Sequence, residues 1–157
     1  MFDISFYSSL TSLPKEIRNL ISLTTYEIYH CSSLILLPND LGNFTSLTTF
    51  IINHYIKLTS LPNELGNLTS LTTLIINGFL SLTSWPNELD NLISLTTFDI
   101  SYYLRLSSLP NKFCHLTSLT TLTIGICSNL ISLPNEFGNL ISLIIFNIKK
   151  VYKRMNL

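Results

Sequence analysis

Apolar residues recur along this chain in two alternating patterns. In Leu71-x-x-Leu74-x-Ile76-x-x-Phe79-x-x-Leu82, Leu74 and Ile76 flank Ile75. That alternation predicts a short strand with two side chains turned inward and one outward. The segment before it reads Leu58-x-x-Leu61-Pro62-x-x-Leu65-Gly66-Asn67-Leu68. Its spacing of three and four predicts a turn of α- or 3-10 helix. The proline sits where no N–H partner is needed, and Gly42, Gly66 or Gly138 is expected to end the turn. Trp85 takes the place that Leu61 holds one unit earlier.

The two patterns repeat in step. Pro14, Pro38, Pro62, Pro86, Pro110 and Pro134 each lie 24 residues after the last. A strict period of this length predicts a solenoid, because one unit alone cannot bury its leucines and a stack of units can. Phe2, Ile4, Tyr7 and Leu10 match Tyr26, Ile28, Cys31 and Leu34, and Phe146, Ile148 and Val151 match the same positions at the far end. Six prolines therefore accompany seven strands. The organisation expected is a repeat domain over residues 1–151, with six full units and a partial first one, and a basic tail over residues 152–157. No polar cap is visible at either end, so a longer array, a covering chain or self-association through the ends is expected.

The strand segment Leu23-Thr24-Thr25-Tyr26-Glu27-Ile28-Tyr29-His30-Cys31-Ser32-Ser33-Leu34, joined to a Leu-Pro-x-x-Leu-Gly-Asn-Leu half, resembles a leucine-rich repeat. It is similar to the repeats of plant intracellular nucleotide-binding disease-resistance proteins. The resemblance implies an α/β leucine-rich-repeat solenoid, a right-handed superhelix bent into a horseshoe arc. Its concave face would be a parallel sheet, with short helical or 3-10 turns on the convex side. It also implies a non-catalytic protein-interaction module with a ligand-sensing or regulatory role in defence. The family's nucleotide chemistry does not carry over, because no Gly-x-x-x-x-Gly-Lys-Ser/Thr loop is present. In many such repeats the Cys31 position holds asparagine or cysteine, which bonds neighbouring backbone. Here Tyr7, Tyr55, Phe79, Tyr103 and Val151 also occupy it, and loosened turns are expected there.

Stacked strands lie about 4.8 Å apart, so each repeat position becomes a column. The leucine column from Leu23 to Leu143 and the isoleucine column from Ile28 to Ile148 are expected core. Two outward columns are almost all threonine, Thr24 to Thr120 and Thr25 to Thr121. Three outward columns vary: Asp3, Glu27, Ile51, Ile75, Asp99, Thr123, Asn147; Ser5, Tyr29, Asn53, Asn77, Ser101, Gly125, Lys149; and Phe6, His30, His54, Gly78, Tyr102, Ile126, Lys150. Variation where nothing else varies marks a candidate recognition surface, and rigid rings beside adaptable amides suit protein contacts. The candidate partner-binding residues are Glu27, Tyr29, His30, Asn53, His54, Asn77, Asp99, Ser101 and Tyr102. The competing reading is drift in a structural or relic repeat without its own partner.

Composition narrows the function classes. Charged residues make up only 11% and the formal net charge is zero, so electrostatic binding of nucleic acid is not expected. The exception is local: Lys149, Lys150, Lys153 and Arg154 crowd the last nine positions. No stretch approaches the roughly 18 apolar residues needed to cross a membrane. No secretory leader is evident at Met1-Phe2-Asp3-Ile4, and a cytoplasmic location is expected. A rival reading is an extracellular repeat receptor or inhibitor lacking its leader, which the sequons at Asn43 and Asn67 keep open. No catalytic residue, cofactor or metal is assigned. His30 and His54 fall short of the three or four ligands a metal needs. Glu16, Glu64, Glu88 and Glu136 form one stripe, expected to be solvated. Cys31 and Cys127 share a column but lie four units apart, roughly 19 Å, so the cysteines are expected to be free thiols.

Overall fold

The computed structural model describes residues 1–54, 57–83 and 85–149, with the side chain of Asn87 excepted. The expectations placed on Tyr55, Lys150, Val151, Lys153, Arg154 and the 152–157 tail lie outside the described residues. Among those described, seven strands alternate with six 3-10 turns. The strands are β1 (Phe2–Ser5), β2 (Thr25–Tyr29), β3 (Thr49–Asn53), β4 (Thr73–Asn77), β5 (Thr97–Ser101), β6 (Thr121–Gly125) and β7 (Ile145–Lys149). The turns are η1 (Lys15–Asn19), η2 (Asn39–Asn43), η3 (Asn63–Asn67), η4 (Asn87–Asn91), η5 (Asn111–His115) and η6 (Asn135–Asn139). One sheet runs β1 to β7 in sequence order, and every pair is parallel and 24 residues apart in register.

The strand alternation is as the apolar pattern requires. Leu74 and Ile76 are buried and Ile75 is half-buried between them. The return half is 3-10 rather than α. Proline precedes each turn in extended geometry, at φ −68° and ψ 142° for Pro62, and its carbonyl accepts the Leu65 N–H at 3.2 Å. The core is one column between sheet and turns, and it thins at the last unit. Ile124 is 1% exposed, whereas its counterpart Ile148 is 55% exposed. Each unit is covered by its successor, and β7 has none among the described residues.

Three local expectations differ from what the fold does. Gly42 and Gly66 do not end their turns in a left-handed cap; Leu68 follows η3 at φ −78°. Their role is close approach between neighbouring turns. A Cβ on Gly66 would lie 2.3 Å from the Glu88 carbonyl oxygen, and one on Gly42 would lie 2.6 Å from that of Glu64. Glu64 and Glu88 are accordingly half-buried over the preceding glycine, not fully solvated, and Glu88 Oε2 is shielded.

The corner is also tighter than expected at Cys31, Phe79, Tyr103 and Cys127, while Tyr7 of the first unit is exposed at the same position. Cys31 and Cys127 reach the carbonyls of Ile4 and Ile100, each at 3.8 Å. Phe79 and Tyr103 are fully buried at the same position and stack at 5.6 Å with their planes 8° apart. Trp85 packs on Phe98, Tyr103 and Phe113 at 5.5–5.8 Å between ring centres. All three cysteines are free and buried.

The first threonine column is part of the scaffold. Thr24 O accepts the Thr48 N–H, the Thr49 N–H and the Thr48 hydroxyl, at 2.9, 3.0 and 3.0 Å. The same arrangement recurs at Thr72, Thr96 and Thr120. These hydroxyls tie consecutive units together.

Candidate functional site

The strand register assembles the three variable columns as neighbours. Glu27, Ile51, Ile75 and Asp99 are successive partners, as are Tyr29, Asn53 and Asn77. All of them are half-buried on the concave face.

The third column has a geometry that period-two alternation does not contain. Phe6, His30, His54, Gly78, Tyr102 and Ile126 all adopt left-handed backbone, with φ between 53° and 81°. Strict alternation would send His30 into the core after Tyr26 and Ile28. The left-handed step breaks that alternation, so His30 is exposed and Cys31 is buried instead. The N–H of each residue extends the ladder by one rung, as in His54 N–H to Asn77 O at 3.1 Å and Tyr102 N–H to Gly125 O at 2.7 Å. The conformation disfavours most residues other than glycine and asparagine by roughly 1–2 kcal/mol, so five non-glycine residues are held there by the stack.

Because these residues turn outward, their side chains form a ladder of rings along one edge of the concave face. Phe6 and His30 stack at 4.8 Å, 12° from parallel, and His30 meets His54 edge-on at 4.2 Å. Burial, with His30 as the second cause, lowers the His54 pKa and favours the neutral imidazole. The ladder breaks at Gly78 and resumes at Tyr102, which is 52% exposed. The break is a hollow of about 310 Å³ lined by Asn53, His54, Asn77, Gly78 and Tyr102.

Four of the nine candidate residues thus share one hollow. Asn77 Oδ1 accepts the Ser101 N–H at 2.8 Å, and the regular β4–β5 pairing ends two residues earlier at Ile75–Asp99. Asn53 Oδ1 is buried and accepts no hydrogen bond among the described residues. Ser101 is placed differently from the surface position expected of it. It is only 6% exposed, its hydroxyl donates to Asp99 Oδ1 at 2.7 Å, and a Cβ on Gly125 would lie 2.6 Å from the Ser101 hydroxyl oxygen. Glu27, Tyr29 and His30 stand on the earlier units, outside the hollow. Tyr29 has its pKa raised by burial first, then by Glu27 through charge and a hydrogen bond. Gly78 is not among the candidates named from the sequence, although the signal is there: it is the one glycine in a column otherwise made of rings, one isoleucine and one lysine.

Elsewhere, an apolar hollow of about 250 Å³ opens near β7, lined in part by Ile124, Cys127, Leu130 and Ile148. On the convex side Asp90 Oδ2 faces Lys112 Nζ at 3.6 Å and His115 Nδ1 at 3.5 Å. Among the described residues no group of three or more His, Cys, Asp or Glu could hold a metal ion. No described helix is long and apolar enough to cross a membrane.

No protein-family model and no curated protein sequence matches the chain. Solved structures do. A leucine-rich-repeat protein of Leptospira interrogans superposes with a TM-score of 0.77 at 28% identity, over 91% of this chain and 36% of that one. The leucine-rich-repeat domain of the type III effector XopL gives 0.79 at 23% identity, over 94% and 51%. An internalin of Listeria monocytogenes gives 0.66 at 17% identity, over 98% and 48%. The chain spans about a third to a half of the solved chains it matches. Seven parallel strands in sequence order, 3-10 turns at a 24-residue period and these likenesses identify the fold: the chain is a leucine-rich-repeat solenoid.

Proposed function

We propose that this chain is a non-catalytic protein-interaction module that binds its partner through the concave face. The observation that carries the reading is the hollow at Gly78. It gathers Asn53, His54, Asn77 and Tyr102 from three successive units into one concave surface of rings and amides. Ring edges supply rigid contact area and the amides supply adaptable hydrogen bonds, the combination that protein interfaces favour. A ligand-sensing or regulatory role in a disease-resistance-like protein of the cytoplasm is the finer form of this proposal. Its support is the resemblance of the repeat to plant immune receptors, and any signal would come from a partner domain. The named structural likenesses from Leptospira and Listeria add nothing to the plant-defence part.

The test is selection of displayed random peptides on the purified chain, followed by binding to two variants. One carries Tyr29→Ala, His54→Ala and Tyr102→Ala; the other carries Glu16→Gln and Glu136→Gln on the convex side. The selected peptides should lose the first variant, by about tenfold or more in Kd, as expected when anchor side chains are removed. They should keep the second. Equal binding to all three proteins would rule out the concave face.

A further inference from the structure

We infer that the gap in the ring ladder at Gly78 is a slot for an arginine side chain of a protein partner. This inference rests on the concave-face reading above and assigns the chemistry of one pocket within it.

The slot is a missing step in an edge of rings. Each unit before it contributes one ring to the edge, and the centres of those rings lie 4.8 and 4.2 Å apart, close to the rung spacing of about 4.8 Å. Gly78 contributes no ring, so His54 and Tyr102 stand two rungs apart, about 10 Å, with one layer missing. The gap leaves room for one further side chain between the two rings. Gly78, itself buried, lines the slot without a side chain.

The wall chemistry selects a donor. Asn53 lines the same hollow, and its Oδ1 is a buried acceptor that takes no hydrogen bond among the described residues, one that a turn of the carboxamide would present to a ligand. A buried acceptor left unmade is costly, and a ligand N–H would satisfy it. Side-chain donors that could do so are guanidinium, ammonium, carboxamide, hydroxyl and the heteroaromatic N–H groups.

Charge separates these. Strands β1 to β6 and the left-handed residue after each carry Asp3, Glu27 and Asp99 and no lysine or arginine. The nearest carboxylate along the strands, Asp99, is one unit beyond Asn77. A surface of this sign attracts a cation. Guanidinium stacks on a tyrosine face and presents its donors in a rigid plane, which a lysine ammonium cannot do.

The experiment is an NMR titration of the full 157-residue chain with three capped pentapeptides, Gly-Gly-X-Gly-Gly, where X is arginine, lysine or tryptophan. The arginine peptide should give saturable shifts at Gly78, the Asn53 side-chain amide and Tyr102, about fivefold tighter than the other two, the margin that stacking plus one satisfied acceptor supplies. Gly78→Asn fills the slot with a residue that tolerates left-handed backbone, and should abolish those shifts. Asn53→Ala, which leaves Gly78 untouched, should weaken them by about fivefold. Equal binding of the lysine peptide would reduce the effect to bulk charge and overturn the inference. Preference for tryptophan, absence of saturable shifts, or undiminished binding by a folded Gly78→Asn protein would overturn it as well. If the arginine peptide fails while the Tyr29, His54 and Tyr102 variant still loses the displayed peptides, only the arginine slot falls. If both fail, the concave-face reading falls with it.

Discussion

The Tyr103 hydroxyl donates a 2.8 Å hydrogen bond to the Ile76 carbonyl, twenty-seven residues earlier in the chain. Cys31 and Cys127 direct their thiols at the equivalent carbonyls of Ile4 and Ile100. A tyrosine therefore performs the corner task of a cysteine, with a longer side chain and a stronger donor. The ring gains burial and the carbonyl gains its partner in the same step.

Replacing Tyr103 with phenylalanine isolates the hydroxyl. Phe79 already fills the same position one unit earlier, fully buried, so the ring shape is known to fit. The Ile76 carbonyl would lose its side-chain donor. Urea unfolding should show Tyr103→Phe less stable by about 1–2 kcal/mol, the usual cost of leaving a buried group without its partner. An unchanged midpoint would mean the hydroxyl contributes nothing to the corner.

Stability should fall on the alkaline side. Burial is the first cause of the raised pKa of Tyr26, Tyr103, Cys31 and Cys127, with nearby ionisable groups adding to it. In an unfolded chain thiols release their protons near pH 8.5 and phenols near pH 10, in round terms. The folded chain holds them longer, so above those values the unfolded state is the one favoured by deprotonation. The contribution is complete below about pH 8 and is lost progressively as pH rises. Urea midpoints at pH 7, 9 and 10.5 should decrease in that order, and Tyr103→Phe should flatten the last step. A level midpoint to pH 10.5 would contradict the assignment.

Two glycines at the same repeat position should respond oppositely to alanine. A Cβ on Gly66 would meet the Glu88 backbone at 2.3 Å, whereas one on Gly138 meets nothing within 4 Å. Gly66→Ala should therefore destabilise by about 1–3 kcal/mol through overpacking between turns. Gly138→Ala should be neutral or stabilise by up to about 1 kcal/mol, by restricting the unfolded chain. Thermal unfolding of both variants decides this, and equal losses would show that the glycine serves its own turn rather than its neighbour.

Much of the fold was legible because the repeat is local and strict. The proline spacing gives the unit, the alternation around Ile75 gives the strand faces, and the match of Phe2 and Ile4 to Tyr26 and Ile28 gives a first strand before the first proline. The third column was legible as a set of residues but not as a conformation. Nothing in Tyr102 or Ile126 favours left-handed backbone, and a β-branched residue such as Ile126 opposes it. Ser101 was misplaced for a related reason. Its burial follows from the close approach of Gly125, one unit later and outside its own strand pattern.

The sequence by itself determined the number of strands, their register and the inward columns, because each of these depends on apolar spacing within one unit and on its repetition. Only the tertiary structure decided what the units do to one another. The glycine of one turn is set by the backbone of the next, the corner carbonyl is met by a side chain from the following unit, and a left-handed step shared by six units turns a column of rings to the surface with a gap at Gly78. Those features arise from contacts about 24 residues apart, and their energies are invisible to a pattern read along a single unit.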